Sequence, residues 1–254
     1  MQISSFTHSR LARAAAGVAL AGLLAHAGAA EHAAVKHTVD LPPSADLAYT
    51  IKARQSGFSL SGEATINWRA GEGKYSIVGE TRAAMLGKVM ENRSEGTIDG
   101  YGIAPAQFVE KRFRKDPTTT TFDRAGKTIS FTEGKLTYAI KGGEQDRASA
   151  PWQLVAAARG APDKFTPGSE WVFFTAGRRD AEPWTFKVVN REKVRTGLGE
   201  VDAVHLVKAP PPDSKDQQLD IWLAPEHEWY PVRIRFADND GDFVDQTLAS
   251  VARK

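Results

Sequence analysis

The segment FSLSGEATINWRAGEGKYSIVG, residues 58–79, decides the fold class because its apolar residues recur with a period of two. Between Phe58 and Trp68 one parity is apolar or small, while the other consists of Ser, Glu, Thr and Asn. Such alternation is typical of a β-strand with one face in the core and the other in solvent. The glycines within Ala70–Gly73 suit a tight turn, and the alternation resumes at Tyr75. The stretch therefore predicts a β-hairpin.

The same pattern recurs along the chain and predicts further antiparallel hairpins. Turn residues Asp123–Gly126 separate two short β-prone runs, and Asp240–Gly241 separates the alternating run after Pro231 from a closing strand over 243–248. Because a proline cannot donate to a ladder, Pro231 is expected to begin its strand or to lie on an edge. The predicted core is Leu60, Ile66, Trp68, Ile77, Phe131, Tyr138, Leu154, Trp171, Phe173, Val204, Leu206, Trp222, Val232, Ile234 and Phe236. The fold is predicted to be mainly β: a curved antiparallel sheet that forms an unclosed β-barrel, or two packed sheets, with one short helix.

That short helix is predicted from the segment SAPWQLVAAAR, residues 149–159. It has a capping serine, an early proline, good helix formers and Gly160 as a stop. Its apolar residues, Trp152 among them, form a stripe, which predicts an amphipathic helix packed on the sheet. The helix divides the strands into a set at 46–141 and a set at 164–252.

The N-terminus has the features of an export signal. A basic start without acidic residues precedes an apolar run from Ala14 to Ala25 that is too short to span a bilayer, and small residues follow it. We therefore predict a cleavable signal peptide at 1–30, a mobile lead-in at 31–45 and a single β-rich domain at 46–252. The predicted location is the periplasm, and the processed protein is not expected to be an integral membrane protein.

Composition excludes several classes of function. Loss of the two arginines of the signal reduces the 33 Lys and Arg residues to 31, which equals the 31 Asp and Glu residues. Nucleic-acid binding is therefore not expected, because it requires a net positive field. The chain has 0 cysteines, which excludes disulfides, thiolate metal sites and a cysteine nucleophile. Stability must come from a core.

Catalytic and metal-binding motifs are weak. The segment Gly57–Gly62 resembles the Gly-x-Ser-x-Gly turn of serine hydrolases only loosely, because the second glycine is missing and a strand follows. Ser59 is therefore expected on the solvated face of a strand. His227 lies between two glutamates, but adjacent residues point apart, so a solvated turn is favoured over a cation site. No catalytic residue, metal site or cofactor is predicted.

Two segments are candidates for binding. The first is an apolar, methionine-containing loop between strands, which suits adaptable hydrophobic ligands; the alternative, which we favour, is a plug at the end of the core. The second mixes cations with an aromatic residue, which suits an anion or a partner; the favoured alternative is a charged strand face or a protected edge. The candidate ligand contacts are Met85, Leu86, Val89 and Met90, and the candidate partner or anion contacts are Lys111, Arg112, Phe113 and Arg114.

A resemblance to a known family comes from the run Leu219–Ile234. A strand ending in Trp-Leu, a turn with Pro and an acidic residue, and then aromatic-Pro-Val-Arg before a second strand resemble the closing hairpins of exported proteobacterial proteins catalogued as domain of unknown function 3108. The resemblance covers most of 46–252 and implies export and a β-rich fold, but no reaction. More remotely, the hairpin is similar to periplasmic lipoprotein-carrier and outer-membrane sorting proteins, whose curved sheet wraps a hydrophobic ligand beneath helices.

Three functions are therefore hypotheses. The leading one is a non-enzymatic periplasmic protein that binds an apolar or lipid-like ligand in the concavity of the sheet, or supports envelope assembly; it predicts an apolar cavity with few ionisable groups. The alternative is a protein–protein interaction module of the cell envelope, which predicts a filled core and an apolar or charged patch outside. A second alternative is an uncharacterised hydrolase, which requires carboxylates or histidines with perturbed pKa values in a cleft.

Overall fold

The computed structural model describes residues 32–210 and 217–254, and the predicted signal peptide at 1–30 lies outside them. The described chain forms one curved, unclosed sheet of fifteen strands and one α-helix. The helix is α1 (Ser149–Gly160). The strands are β1 (Ala45–Gln55), β2 (Phe58–Gly71), β3 (Lys74–Ala83), β4 (Gly87–Asp99), β5 (Gly102–Arg112), β6 (Thr118–Asp123), β7 (Thr128–Phe131), β8 (Tyr138–Ala139), β9 (Gln145–Asp146), β10 (Glu170–Ala176), β11 (Ala181–Thr196), β12 (Gly199–Lys208), β13 (Gln218–Leu223), β14 (Pro231–Ala237) and β15 (Phe243–Arg253).

The strand order shows that the two predicted strand sets form a single sheet. The order is β8-β7-β6-β5-β4-β3-β2-β1-β15-β14-β13-β12-β11-β10-β9, and the pairing of β1 with β15 joins the sets, with Tyr49 opposite Leu248. Every pairing is antiparallel except that of β9 with β10. Both edge strands have only two residues, which limits pairing with another chain. The mainly β, curved and unclosed fold is confirmed.

The predicted turns and strand ends are found, with one change of place. Glu72 and Gly73 have φ values of 51° and 73°, so they form the two-residue turn between β2 and β3. Pro231 is the first residue of β14, as predicted. The predicted closing strand, 243–248, is the start of β15, which continues to Arg253 and lies in the middle of the sheet.

Helix α1 fills the concave side of the sheet, and this corrects the expectation of an amphipathic helix. Its residues from position 152 to 158 are all buried. The indole of Trp152 stacks on that of Trp68 at 4.7 Å, while Leu154 packs into the cluster formed by the C-terminal strands. Gln153 is buried as well, and its side chain accepts the N–H of Ile103 and donates to the carbonyl of Tyr101. A sheet that curves around the helix leaves no solvated face.

The predicted lead-in contacts the domain at several of its residues between 32 and 44. The ring of His32 stacks on Phe174 with 3.7 Å between centroids. The buried indole N–H of Trp68 donates to the carbonyl of Pro42 at 3.0 Å. The segment has few large apolar residues, but its backbone carbonyls satisfy buried donors of the core, and this is what holds it.

The predicted core residues are buried or partly buried, except Leu60. Leu60 is 43% exposed, because β2 extends beyond the core before it reaches Ile66. Ile66 and Phe236 are partly buried against the core clusters, and the other predicted residues are buried. The alternation therefore identified the inner face correctly, but it did not show where along a strand the core ends.

The hairpin of β11 and β12 covers part of the convex face. Its far end bends towards the middle of the sheet, where the N–H of Gly197 donates to the carbonyl of Leu248 at 2.8 Å. Val194 and Val201 thereby join the same apolar cluster as Trp222. This is why Trp222 is buried although its neighbours along β13 face the opposite side.

Candidate functional site

The candidate site lies at one end of the sheet, where three neighbouring hairpins extend beyond the core. These are the tips of β1–β2, β3–β4 and β5–β6, and each carries large apolar side chains in solvent. Met85 is 93% exposed and Phe58 is 73% exposed. Single exposed apolar residues are common, but a group on adjacent tips indicates a binding surface. We refer to the side chains of Phe58, Leu60, Met85, Leu86 and Phe113 as the hairpin rim.

Local sequence explains why these tips form. Ser56 and Gly57 have φ values of 50° and 84°, which gives a two-residue turn immediately before Phe58. Gly87, with a φ of 70°, ends the β3–β4 tip, and Leu86 closes it by donating its N–H to the carbonyl of Ala83. The exposed apolar residues are therefore held beside turns of defined geometry.

Backbone hydrogen bonds join the three tips into one surface. The N–H of Ala84 donates to the carbonyl of Ser61 at 3.0 Å, which connects the β3–β4 tip to β2. The N–H of Phe113 donates to the carbonyl of Val89 at 2.7 Å, which connects the β5–β6 tip to β4. The rim is thus one continuous surface at this end of the sheet.

The structure brings the two predicted binding segments together. Met90 lies opposite Arg112 in the pairing of β4 with β5. Between the segments is a groove of about 190 Å³. Val89 and Met90 belong to β4, whereas Met85 and Leu86 form the tip before it. The groove is lined by Lys88, Val89, Met90, Glu91, Lys111, Arg112, Phe113 and Arg114.

The basic segment lies where the pairing of β5 with β6 has ended. Strand β5 pairs with β4 as far as Arg112 but with β6 only from Gln107 to Glu110, so Lys111 and Arg112 have a paired strand on one side. Lys111 is exposed on the face of the sheet, and Phe113 lies in the turn that follows. The favoured alternative, a charged strand face or a protected edge, stays a prediction.

Charges at the groove are partly compensated. Lys88 lies 2.5 Å from Glu91 and 3.4 Å from Glu80, which also accepts from Arg82 at 2.7 Å. The hydrogen bond from Arg82, followed by that from Lys88, lowers the pKa of Glu80. The guanidinium of Arg114 lies 4.9 Å from the centre of the Phe113 ring. In the described part of the chain, no carboxylate forms an ion pair with Lys111, Arg114 or Lys115, so the groove keeps an excess of positive charge.

The second described cavity, at the opposite end, has a different character. It measures about 350 Å³ and lies between the lead-in and the start of β10. Burial lowers the pKa of His37, and a weaker hydrogen bond to the carbonyl of Val172 opposes that shift. Two lysines and a glutamate contribute to its wall, so it is not an apolar cavity. Its lining is Lys36, His37, Thr38, Ala161, Lys164, Ser169, Glu170 and Trp171.

The carboxylate of Asp146 is buried and has a shifted pKa, but its contacts are structural. Burial raises the pKa to about 6 against a hydrogen bond from Ser94, at 2.5 Å, and two backbone N–H groups. Those N–H groups belong to Ala148 and Ser149, both at 2.8 Å, so Asp146 satisfies the first N–H group of α1, whose N-cap residue is Ala148 and not the predicted serine. It lines neither of the two cavities, so it does not meet the requirement of a hydrolase site.

The histidines of the domain are held in structural contacts. His205 lies 2.8 Å from Asp220 and stacks on Trp222 at 4.2 Å, on the convex face. Arg233 lies over the same indole, 4.6 Å from its centre, and completes a ladder across three strands. Within residues 32–210 and 217–254, no group of three or more His, Cys, Asp or Glu residues could hold a metal ion. His227 lies in the turn before β14, as predicted.

Fold and site together define the class: an unclosed β-barrel-like protein filled by one helix, with an exposed apolar and basic end. The chain belongs to the family described as "Protein of unknown function (DUF3108)", whose model matches residues 48–248. This confirms the resemblance deduced from the C-terminal hairpins. No curated protein sequence matches the chain significantly.

Two solved structures are similar to the chain to different degrees. A β-barrel-like protein of domain of unknown function DUF1849 from Brucella abortus is 14% identical, with a TM-score of 0.57, over 85% of this chain and 99% of that one. An outer membrane lipoprotein-sorting protein domain from Vibrio parahaemolyticus is 10% identical, with a TM-score of 0.31, over 84% of this chain and 86% of that one. At these identities the similarity concerns the fold alone.

The α-helix of the described chain, α1, has 12 residues. A membrane-spanning helix needs about 20 predominantly apolar residues. In residues 32–210 and 217–254, no helix has the length and apolar character needed to cross a membrane.

Proposed function

We propose that this protein is a non-catalytic binding protein of the bacterial periplasm, which binds apolar or lipid-like molecules through the hairpin rim. The observation that carries the proposal is the contrast between the two sides of the sheet. The concave side is occupied by α1, with Trp152 stacked on Trp68, while large apolar side chains stand in solvent at the rim. Apolar surface that is left exposed costs free energy until a partner covers it.

The proposal moves the ligand from the concavity to the rim. A ligand within the sheet would have to displace α1, whose residues 152–158 are all buried. The groove between Val89 and Phe113 is open instead, and its wall combines apolar side chains with cations. An amphiphile with an apolar chain and an anionic group matches that combination.

The test is native mass spectrometry of the protein purified from the periplasm, followed by organic extraction and lipid analysis. We expect a co-purifying lipid that is lost in the double variant Met85→Asp/Leu86→Asp, because burying a carboxylate in an apolar contact is strongly unfavourable. The matched control is Leu198→Asp, a change of an exposed leucine on the β11–β12 turn, outside the hairpin rim. A mass without lipid, which stays unchanged after incubation with lipid extract, would contradict the proposal.

A second candidate is an interaction module for an envelope protein. A filled core and an external apolar and basic patch favour it, since these are the features such a module requires. In the same experiment it predicts a protein in the mass spectrum where a lipid is expected. Loss of that protein in the rim double variant, with retention in Leu198→Asp, would support this second function.

A further inference from the structure

Each of the three rim hairpins carries basic residues close to its exposed apolar side chains. On the β3–β4 hairpin, Met85 and Leu86 form the tip, and Lys88 follows two residues later at the start of β4. On the β5–β6 hairpin, the aromatic ring of Phe113 lies at the turn, directly after Arg112. On the β1–β2 hairpin, Arg54 pairs with Ser59, which lies between the exposed Phe58 and Leu60. On the β1–β2 and β3–β4 hairpins the outermost apolar residue therefore lies beyond the cation, whereas on the β5–β6 hairpin Arg114 and Lys115 lie in the turn beside Phe113.

The charge on these hairpins does not cancel. Glu80 and Glu91 are already engaged by Arg82 and Lys88, as described above. In the described chain, the β5 end and the following turn hold cations that form no ion pair, and Asp116 is the acidic residue within that turn. Those cations are Lys111, Arg114 and Lys115. A positive excess beside exposed apolar groups complements a surface that is both anionic and apolar.

The shape of the rim distinguishes a bilayer from a protein. The exposed apolar side chains of the rim project from different turns, and the side chain of Met85 is almost completely surrounded by solvent. A protein partner would need a separate pocket for each protruding tip. The interface of a bilayer is deformable and can surround several projecting side chains at once, while its headgroups remain accessible to cations at a shallower depth.

From this geometry we infer that the hairpin rim docks onto the surface of an anionic lipid bilayer. The apolar side chains of the rim enter the boundary between headgroups and acyl chains, and the cations beside them contact the phosphates. This inference rests on the proposed function and names the partner of the same site. It also gives the site a role in delivering lipids to the bilayer or collecting lipids from it, because a rim that touches the bilayer places its groove within reach of single lipids.

Acidic residues restrict the orientation of the docked protein. The β14–β15 turn contains Asp238, Asp240 and Asp242, and it lies beside the β1–β2 tip, where the N–H of Ser56 donates to Asp242 at 2.8 Å. Anionic headgroups repel this turn. The protein therefore docks with its β3–β6 side towards the bilayer and the acidic turn tilted away.

Vesicle co-sedimentation tests the inference. The probes are vesicles of phosphatidylcholine alone and vesicles of phosphatidylcholine mixed with phosphatidylglycerol, each at low and high salt. We expect binding to the mixed vesicles, weakened by salt, and a loss of about tenfold or more in Met85→Asp/Leu86→Asp. Leu198→Asp is expected to bind like the wild type. Equal thermal unfolding midpoints of the variants control for folding.

A second measurement reports the contact directly. Because the chain has 0 cysteines, Met85→Cys and Leu198→Cys each provide one labelling position for an environment-sensitive dye. We expect the emission at position 85 to shift to the blue with phosphatidylglycerol vesicles, and the emission at position 198 to stay unchanged. Equal shifts at both positions, or none at position 85, would overturn the inference.

The two experiments separate this inference from the proposed function. A lipid that co-purifies through the rim, without binding to phosphatidylglycerol vesicles, would overturn bilayer docking and leave lipid binding intact. Failure of both would overturn both. Vesicle binding that persists in Met85→Asp/Leu86→Asp would also overturn docking through this surface, because the contact would then lie elsewhere.

Discussion

The two halves of the sheet differ in how far their strands extend beyond the core. All residues of β2 from Phe58 to Glu63 are exposed or only partly buried, whereas Leu219–Leu223 of β13 are buried without exception. Helix α1 packs on both halves, through Trp152 on Trp68 and Leu154 in the C-terminal cluster, and the hairpin of β11 and β12 covers the other side of the C-terminal half. The apolar side chains of the rim stay exposed. The difference teaches that stability and the candidate binding surface are assigned to different lengths of the strands: the inner length builds the core, and the surplus length at the hairpin tips presents the rim.

The largest expected effect is at the junction of the halves. Trp152→Ala removes an indole that packs between Trp68 and Tyr230, and we expect it to lower the free energy of unfolding by about 3–5 kcal/mol. Urea denaturation measures this change. The control is Met85→Ala at the rim, for which we expect a change within about 0.5 kcal/mol. Similar losses in the two variants would break the proposed division.

A smaller effect concerns the pH dependence of the core. Burial raises the pKa of Asp146 to about 6, above its value of 3.8 in the unfolded chain. The folded state thus keeps a proton that the unfolded state releases. This group's contribution to stability is therefore complete below about pH 4 and falls by of the order of 3 kcal/mol as pH rises through about 6.

The variant Asp146→Asn is expected to lose that slope. Its side-chain oxygen can still accept the N–H groups of Ala148 and Ser149, and its amide can donate to Ser94, so the cap is kept. Urea denaturation of wild type and variant over a pH series measures the difference. Opposing titrations, such as that of Glu144, cancel in the comparison. Parallel pH profiles would show that Asp146 is not buried as described.

The smallest expected effect lies within a single strand. Leu60 and Trp68 share one face of β2, but only Trp68 is covered by the core. We expect Leu60→Ala to change the free energy of unfolding by less than about 0.5 kcal/mol while weakening lipid binding. Urea denaturation and native mass spectrometry check the two parts. A loss of stability above about 1 kcal/mol would place Leu60 in the core and move the boundary of the rim.

Sequence predicted much of the fold but less of the site. The β2–β3 hairpin and the bounds of α1 were correct, because periodicity and turn residues are local signals. The packing of the lead-in was missed, since His32 contacts Phe174 across a long separation in the chain. The candidate binding residues were predicted as two separate segments. The signal that could have joined them is that the hydrophobic loop begins β4 and the basic segment ends β5, the next strand of the chain.

What the sequence by itself determined is the alternation of faces, the positions of turns, the helix and the family. Only the tertiary structure decided that α1 fills the concavity, that β5 is an interior strand and that the tips of three hairpins meet. The physical reason is that a strand's periodicity depends on its own residues, while its exposure depends on which other elements pack against it. Leu60 shows this most plainly: its pattern matches that of Trp68, and its surroundings do not.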